Sequence, residues 1–544
     1  MENQDQQPSA LSPTEIPLVV RIGVTGHRTL IDEERLRRDV DNILRRLDEL
    51  VGDVPHCYTV VSPLAEGADR LVAKQVLAWP APSPELAPRL EAILPLPVEE
   101  YLQDFDSEAS KREFLELLEQ AHRQVILPEQ PGRPQAYLHA GRTIVQECDV
   151  LIAIWNGKPA AGMGGTGDIV DYARQLERWL FWIHDEKTGQ ISEEGQPQIL
   201  QQTLDHLTLY NRETLPPQKF QAEIVRHRQR LSQQAREAGL NPDLPGPVWD
   251  HLLPHFVRAE MLANRYQRRH NLSVTGVTLL AVLAVIAVTT QVLFFRDWPQ
   301  LVWIEVGAMA LILLLLILSR HQQWHRKWID YRFLAERLRA AIYLATAGLD
   351  CAPPRPLPHS IAHRPNDWMS KAFAWIWEQR PPTPAPSPAT FVPVRDFLLN
   401  AWIRGQKRFY TRRGGYFHRM EKMLSSLGLI FFGATLLAAL IHVLAGHHEG
   451  AEGGDSLNSL LIALAIILPV AGAALADIRA YRNYHRNAER YAHMARQLAL
   501  LEPQIARTST LQELMPLLEQ ANEIMLREQQ DWRAVLLFQK LEAP

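Results

Sequence analysis

Cysteine is scarce in this chain, with three in 544 residues, at positions 57, 148 and 351. None has metal-ligand spacing, and all three fall in segments that read as cytosolic. A disulfide framework and a cysteine metal site are therefore not expected, and packing is the role left. No excess of one charge exists either: 57 Lys and Arg against 61 Asp and Glu leave a net charge of −4. Nothing global points to nucleic acid as a partner. The first residues, Met1 to Pro17, are polar and proline-bearing and lack a basic-then-apolar leader. The expectation is a protein that is not secreted.

Long apolar runs, by contrast, are plentiful in the second half. Leu272 to Phe295 is nearly uncharged over 24 residues, which as a helix spans roughly 36 Å and crosses a bilayer with some tilt. Leu301 to Ser319, Met423 to Leu444 and Ser459 to Leu475 follow, so the spans pair into two hairpins with short tips. Basic residues flank the non-tip ends: Arg265, Arg268 and Arg269 before the first span, Arg320, Arg326 and Lys327 after the second. Arg404 to Lys422 and Arg479 to Arg486 do the same for the second pair. The positive-inside bias places both termini in the cytoplasm. Thr290, Gln291 and Glu305 are the candidate pore residues, since polar groups at membrane depth are costly. Lying near the outer interface, they read equally as ordinary interfacial groups.

Each hairpin is trailed by a similar basic-aromatic segment. The first runs Trp324-His325-Arg326 and then Tyr331-Arg332-Phe333-Leu334-Ala335-Glu336-Arg337-Leu338; the second runs Tyr484-His485-Arg486 and then Tyr491-Ala492-His493-Met494-Ala495-Arg496-Gln497-Leu498. The offset is constant, since 484 − 324 and 491 − 331 both equal 160. A hairpin with its trailing helix is duplicated. Four spans from one chain enclose little room, so a homo-oligomer is expected.

The region Pro17 to Asp185 alternates apolar strands with helices, which means a Rossmann-like parallel sheet covered on both faces. Ligands in such folds bind at the carboxyl ends of the strands. Those ends carry the unusual residues: Gly23, Thr25, Gly26, His27 and Arg28 after the first strand; Ser62, Glu66, Gly67 and Asp69 after the second; Asn156, Gly157, Gly164, Gly165, Thr166, Gly167 and Asp168 after the fifth. Glycine turns at helix starts bring backbone amides to a phosphate. They are neither a Walker loop nor a dinucleotide fingerprint. These residues are the candidate ligand site, with no metal and no cofactor expected.

The strings Gly23-Val24-Thr25-Gly26-His27-Arg28, Ser62-Pro63-Leu64-Ala65-Glu66-Gly67-Ala68-Asp69 and Gly164-Gly165-Thr166-Gly167-Asp168 resemble the SLOG superfamily, which includes Lonely-guy phosphoribohydrolases, DprA-type proteins and the sensor region of TRPM-type channels. The hairpins with trailing helices are similar to SLATT domains, two-span modules found beside SLOG sensors in anti-phage systems. The resemblance implies a receptor for a nucleotide-derived signal, such as an ADP-ribose-like molecule or a cyclic nucleotide, coupled to membrane permeation or disruption. It also implies an alternative, a membrane-tethered N-glycosidic hydrolase or deoxyribosyltransferase-like enzyme. Laid on the Lonely-guy PGGxGTxxE motif, Asp168 takes the place of the threonine and Asp171 that of the glutamate, while Met163 replaces the proline. A shorter carboxylate stands off the reacting carbon, and such misplacement can cost ~10²-fold. Glu66, Asp168 and Asp171 are the catalytic candidates under that alternative.

The expected plan is a polar N-terminus (1–16), a SLOG-like domain (17–185), a helical connector (186–254), two SLATT-like modules (255–350 and 401–505) separated by a proline-rich linker (351–400), and a helical tail (506–544). The fold class is α/β followed by an all-α membrane region of four helices, in a bacterial inner-membrane protein.

Overall fold

The computed structural model describes residues 14–160, 162–185, 190–348, 368–445 and 454–537. They form two compact units. The first holds the chain through Thr214 together with the segment ending at Gln379; the second holds Leu215–Pro354 and Arg380 onward.

Seven strands make the sheet of the first unit: β1 (Leu18–Gly26), β2 (His56–Ser62), β3 (Arg89–Leu94), β4 (Arg123–Ile126), β5 (Val150–Trp155), β6 (Trp179–His184) and β7 (Ile191–Glu194). Their order is β4-β3-β2-β1-β5-β6-β7. All pairs are parallel except β6 with β7. β5 is buried along its whole length, as a central strand covered on both faces must be. The connecting helices are α1 (Glu33–Val51), α2 (Ala68–Leu77), the single turn α3 (Val98–Tyr101), α4 (Glu108–Gln120), α5 (Arg133–Glu147), α6 (Thr166–Gln175) and α7 (Gln198–Arg212). Ala140 and Ile144 of α5 and Ile169, Val170 and Ala173 of α6 close one face over Val61, Ile93, Leu151 and Ala153. The strand–helix alternation read from the sequence is present; the antiparallel edge β7 lies in the segment read as connector, where its polar Ser192, Glu193 and Glu194 carried no strand signal.

The second unit is helical: α8 (Pro217–Glu237), α9 (Gly246–Phe294), α10 (Val302–His321) and α11 (Trp324–Thr346), then, beyond a segment that belongs to the first unit, α13 (Pro388–Phe397), α14 (Arg404–Ala445), α15 (Gly454–Tyr481), α16 (Tyr484–Arg507) and α17 (Leu511–Leu537). Four of its helices are long and apolar enough to cross a membrane. α11 packs on α9, and α16 packs on α14 in the same way. The turn before each trailing helix is the same too. Gln323 has φ 50° and ψ 38°, and Asn483 has φ 49° and ψ 39°. These left-handed non-glycine residues, uncommon in any fold, stand 160 positions apart. The duplication is therefore built into the backbone as well as the sequence. The acidic tip around Glu449 and Glu452, with Cys351, lies outside the described residues.

The segment that returns to the first unit is α12 (Trp368–Glu378). Met369, Ala372 and Ile376 are buried there, and Trp368 lies tilted against Tyr210 of α7 at 5.1 Å between ring centres. Lys371 enters the starts of β1 and β5, donating to the carbonyl of Val19 at 2.8 Å and to the carboxylate of Asp149. Asp149 also accepts the amide of Arg21 at 2.8 Å, and the Arg21 guanidinium reaches Glu91 at 2.6 Å and Glu147 at 3.0 Å. Burial pulls the Lys371 pKa down while Asp149 pulls it up. Tryptophans 368, 375 and 377 thus belong to a docked helix of the sheet unit: Trp375 lies under the Arg89 guanidinium at 4.5 Å and Glu378 meets Arg89 at 3.3 Å.

Removing one partner of a buried ion pair leaves the other uncompensated, typically at about 3–5 kcal/mol. Lys371→Met is expected to lower the melting point of the sheet unit in the full-length protein, followed by tryptophan fluorescence. Lys371→Met with Asp149→Asn together is expected to recover part of that loss. A single variant that melts like the parent would mean α12 is not anchored by this pair.

Candidate functional site

The strand order reverses between β1 and β5, so the crevice outside their carboxyl ends is where such a sheet receives a ligand. Register places Gly26 beside Ile154, and the His27 amide donates to the Ile154 carbonyl at 3.1 Å. The loops after β1, β2 and β5 therefore meet at one end of the sheet.

Glycine is required at two points of this junction. A Cβ on Gly26 would stand 2.4 Å from the Cβ of Ala68 and 2.8 Å from the Ile154 carbonyl oxygen. Gly67 has φ +78°, and a Cβ there would stand 2.2 Å from the Arg28 carbonyl oxygen and 2.4 Å from that of His27. The β1 loop is thus seated on the start of α2, where the Ala68 amide donates to the His27 carbonyl at 3.0 Å. Leu64, also buried, is held at φ 58° in the same turn. Ser62 accepts the Leu64 amide at 3.0 Å, and Arg70 donates to the Leu64 carbonyl at 3.0 Å. A left-handed leucine persists only where its surroundings over-determine it, and such strain gathers at functional turns.

Beside the switch point, α2 and α6 begin without a side-chain cap, as α5 does after β4. α2 has Gly67 and α6 has Gly165 at the capping position, and neither supplies an oxygen. Asp32 caps α1 and Ser107 caps α4, while α7 also starts without a side-chain cap. Uncapped first-turn amides with the helix dipole behind them attract anions. Asp168 is turned back onto its own loop, accepting the Gly164 amide at 2.9 Å. Asn156 accepts the Lys158 amide at 3.0 Å and shapes the turn through Gly157, whose φ is +83°. Thr166 opens α6, and Gly167 is packed against the Ala160 backbone.

Carboxylates with unmet hydrogen-bonding capacity complete the picture. Asp69, in the first turn of α2, is buried, and its Oδ1 has no partner among the described residues. Burial pushes its pKa up to about 7, against the lowering effect of the Ala65 backbone, Arg28 and Arg70. Asp185, directly after β6, takes His27 Nδ1 on its Oδ2 at 2.8 Å, while its Oδ1 has no partner among the described residues. Arg35 fixes that corner through the carbonyls of His184 at 3.1 Å and Asp185 at 2.5 Å. Asp185 was missed from sequence, although the strand-end rule that selected His27 applies to the residue after β6 as well.

The other sequence candidates fall in different surroundings. Glu66 bonds Ser110 of α4, beside Arg70, which reaches Ser110 Oγ at 2.9 Å and Glu113 at 2.8 Å. Asp171 lies one turn along α6, exposed, with Arg174 at 3.4 Å. Gly23 faces Cys148 and Ile144 in the core. Thr25 lies on β1 and pairs with Ala153. Arg28 is exposed beside the crevice.

In the helical unit, Glu305 and Thr289 line a cavity of about 680 Å³ otherwise walled by apolar residues of α9 and α10 and by Ile466 of α15. Thr290 and Gln291 are half-buried neighbours of Thr289 on α9.

Residues 258–348 match a family described as a protein of unknown function (DUF4231). The match covers the latter part of α9 with α10 and α11, which is one copy of the duplicated module. None of the curated proteins compared with the chain matches it.

A carboxyl group whose folded pKa is raised holds its proton longer folded than unfolded. The stability it confers is present at low pH and is lost as pH climbs from 3.8 to about 7. Asp69→Asn removes that titration. The variant is expected to gain stability over the parent across this interval, by on the order of 1–4 kcal/mol, and to hold a constant gap above it. Parallel melting curves at every pH would show that Asp69 is not the group described.

Proposed function

We propose that this chain is a membrane effector whose sheet unit binds a nucleotide-derived signal and whose duplicated hairpins respond by opening a conduit through, or disrupting, the bilayer. The signal is ADP-ribose-like or a cyclic nucleotide, and the setting is stress or anti-phage defence, in keeping with the SLOG and SLATT resemblances. The observation that carries the reading is the pairing, at the β1/β5 switch point, of two uncapped helix starts with the carboxylates Asp69 and Asp185. Uncapped amides suit phosphate oxygens. Carboxylate oxygens lacking a donor suit ribose hydroxyls, and Arg28 adds a cation at the rim.

The basic flanks support cytoplasmic termini in a bacterial inner membrane, which puts the sheet unit on the nucleotide-rich side. A homo-oligomer supplies the spans that a conduit needs. Glu305 and Thr289, facing the 680 Å³ cavity, are its polar elements. A ligand shifts the membrane region only through its different affinity for two states of the assembly.

The contact of His27 with Asp185 favours a second reading. An imidazole oriented by a carboxylate is the arrangement of a general base, as in a nucleotide N-glycosidic hydrolase. The two readings separate in one experiment on the full-length protein. Melting is followed against ADP-ribose derivatives, cyclic nucleotides and NAD, with the small molecule analysed by chromatography afterwards. A ligand at ~100 times its dissociation constant stabilises by about 2.7 kcal/mol. The sensor reading expects that shift with ligand recovered intact, and its loss in Gly67→Ala. Consumed ligand would favour the enzyme, and no shift with any compound would remove both.

A further inference from the structure

The two modules meet inside one chain through α15 and α9, and the repeat assigns what should meet their unused counterparts. Thr278 of α9 donates to Asp477 of α15 at 3.0 Å. Tyr481 and His270 approach at 3.1 Å, and Arg482 donates to Thr275 at 2.9 Å. Further along, Ile466 of α15 lines the same cavity as Ala281 and Val285 of α9.

Equivalent positions follow from the geometry. α10 ends at His321 and α15 at Tyr481, which is an offset of 481 − 321 = 160. The apolar run of α9 begins at Leu272 and that of α14 at Met423, an offset of 423 − 272 = 151. Packing accommodates the second offset: Tyr266 meets Tyr331 at 5.8 Å, and Tyr491 lies between Phe417 and Tyr410, each at 5.4 Å, where 417 − 266 = 151 and 491 − 331 = 160.

Carried over in this way, each contact has a chemically matched counterpart on α14 and α10. Thr278 with Asp477 becomes Leu429 with Ile317, a polar pair replaced by an apolar one on both sides. His270 with Tyr481 becomes Glu421 with His321, an acid facing a base. Thr275 with Arg482 becomes Ser426 with Gln322, two hydrogen-bonding groups. Ala281 and Val285 with Ile466 become Phe432 and Leu436 with Val306. In the single chain the apolar counterparts are open: Leu429 is 73% exposed, Phe432 70% and Ile317 55%. Glu421 Oε2 is buried with no hydrogen-bond partner among the described residues, its nearest cation being Arg479 at 3.7 Å.

We propose that the α14 face of one copy docks the α10 face of a second copy, head to tail, repeating between chains the contact that α9 and α15 make within one. One unsatisfied surface of each kind per chain makes the contact heterologous, and such contacts grow until they close into a ring. The inference rests on the oligomeric part of the proposed function and not on the ligand.

Full-length protein in membranes, carrying Leu429→Cys and Ile317→Cys together, tests it under copper-phenanthroline oxidation. The double variant is expected to give a ladder of disulfide-linked multiples. Co-expressed single variants should give dimers only, and either single variant alone should give no cross-linked species. Glu421→Lys should weaken the ladder, and adding His321→Glu should restore it. A double variant that stays at monomer size would overturn the proposal, and a single chain by size in detergent would remove the oligomeric effector as well. Self-linking of either single variant would leave an oligomer but replace the head-to-tail contact with a two-fold one. A ladder from a protein that answers no nucleotide would support the contact and count against the sensor alone.

Discussion

The ion pair of Lys371 with Asp149 is the constraint on which the arrangement of this chain turns. A buried amine is tolerable only with a carboxylate and a carbonyl at hand, and both are offered where β1 and β5 begin, the two strands that define the switch point. Because Lys371 sits on α12, the chain must leave the helical unit after the first module, enter the sheet unit, and return before the second. The sheet unit is therefore joined by chain to both modules. Arg21, Glu91, Glu147 and Arg123 extend the same charge network across the neighbouring strands and helix. The amino ends of the strands are thereby tied together by charge, with Asp149 Oδ1 left without a partner among the described residues.

The carboxyl ends are organised the other way. Small residues let the loops after β1 and β2 sit on each other, Leu64 is held in a left-handed conformation, and two helices start without caps. Departures from local preference of this kind are expected at functional turns. Asp69 shows the consequence: a carboxyl group with one oxygen lacking a donor among the described residues, pushed toward neutral pH by burial.

How much was legible in the sequence follows from the range of each interaction. Strands such as β3 and β5 were readable because a run of apolar β-formers is a local signal. The spans were readable for the same reason, and the repeat because Tyr331 and Tyr491 recur in the same setting. His27, Gly26 and Gly67 were reachable because a turn at a strand end is local too. Asp185 was legible in principle, one residue past β6, but its meaning depends on His27, which is 158 positions away. Lys371 had no signal at all: a lone lysine in a tryptophan-bearing helix after a proline-rich stretch reads as solvated, and only the fold brings Asp149 to it. The left-handed turns at Gln323 and Asn483 were equally invisible, since neither residue type requires that conformation.

The central claim is that occupancy of the sheet unit changes the membrane region. Its most direct test is release of a dye from sealed liposomes carrying the purified full-length protein, on addition of an ADP-ribose derivative or cyclic nucleotide that stabilises it. The account predicts release that depends on that compound, with the compound recovered unchanged. Vesicles that stay sealed while the protein demonstrably holds its ligand would contradict it.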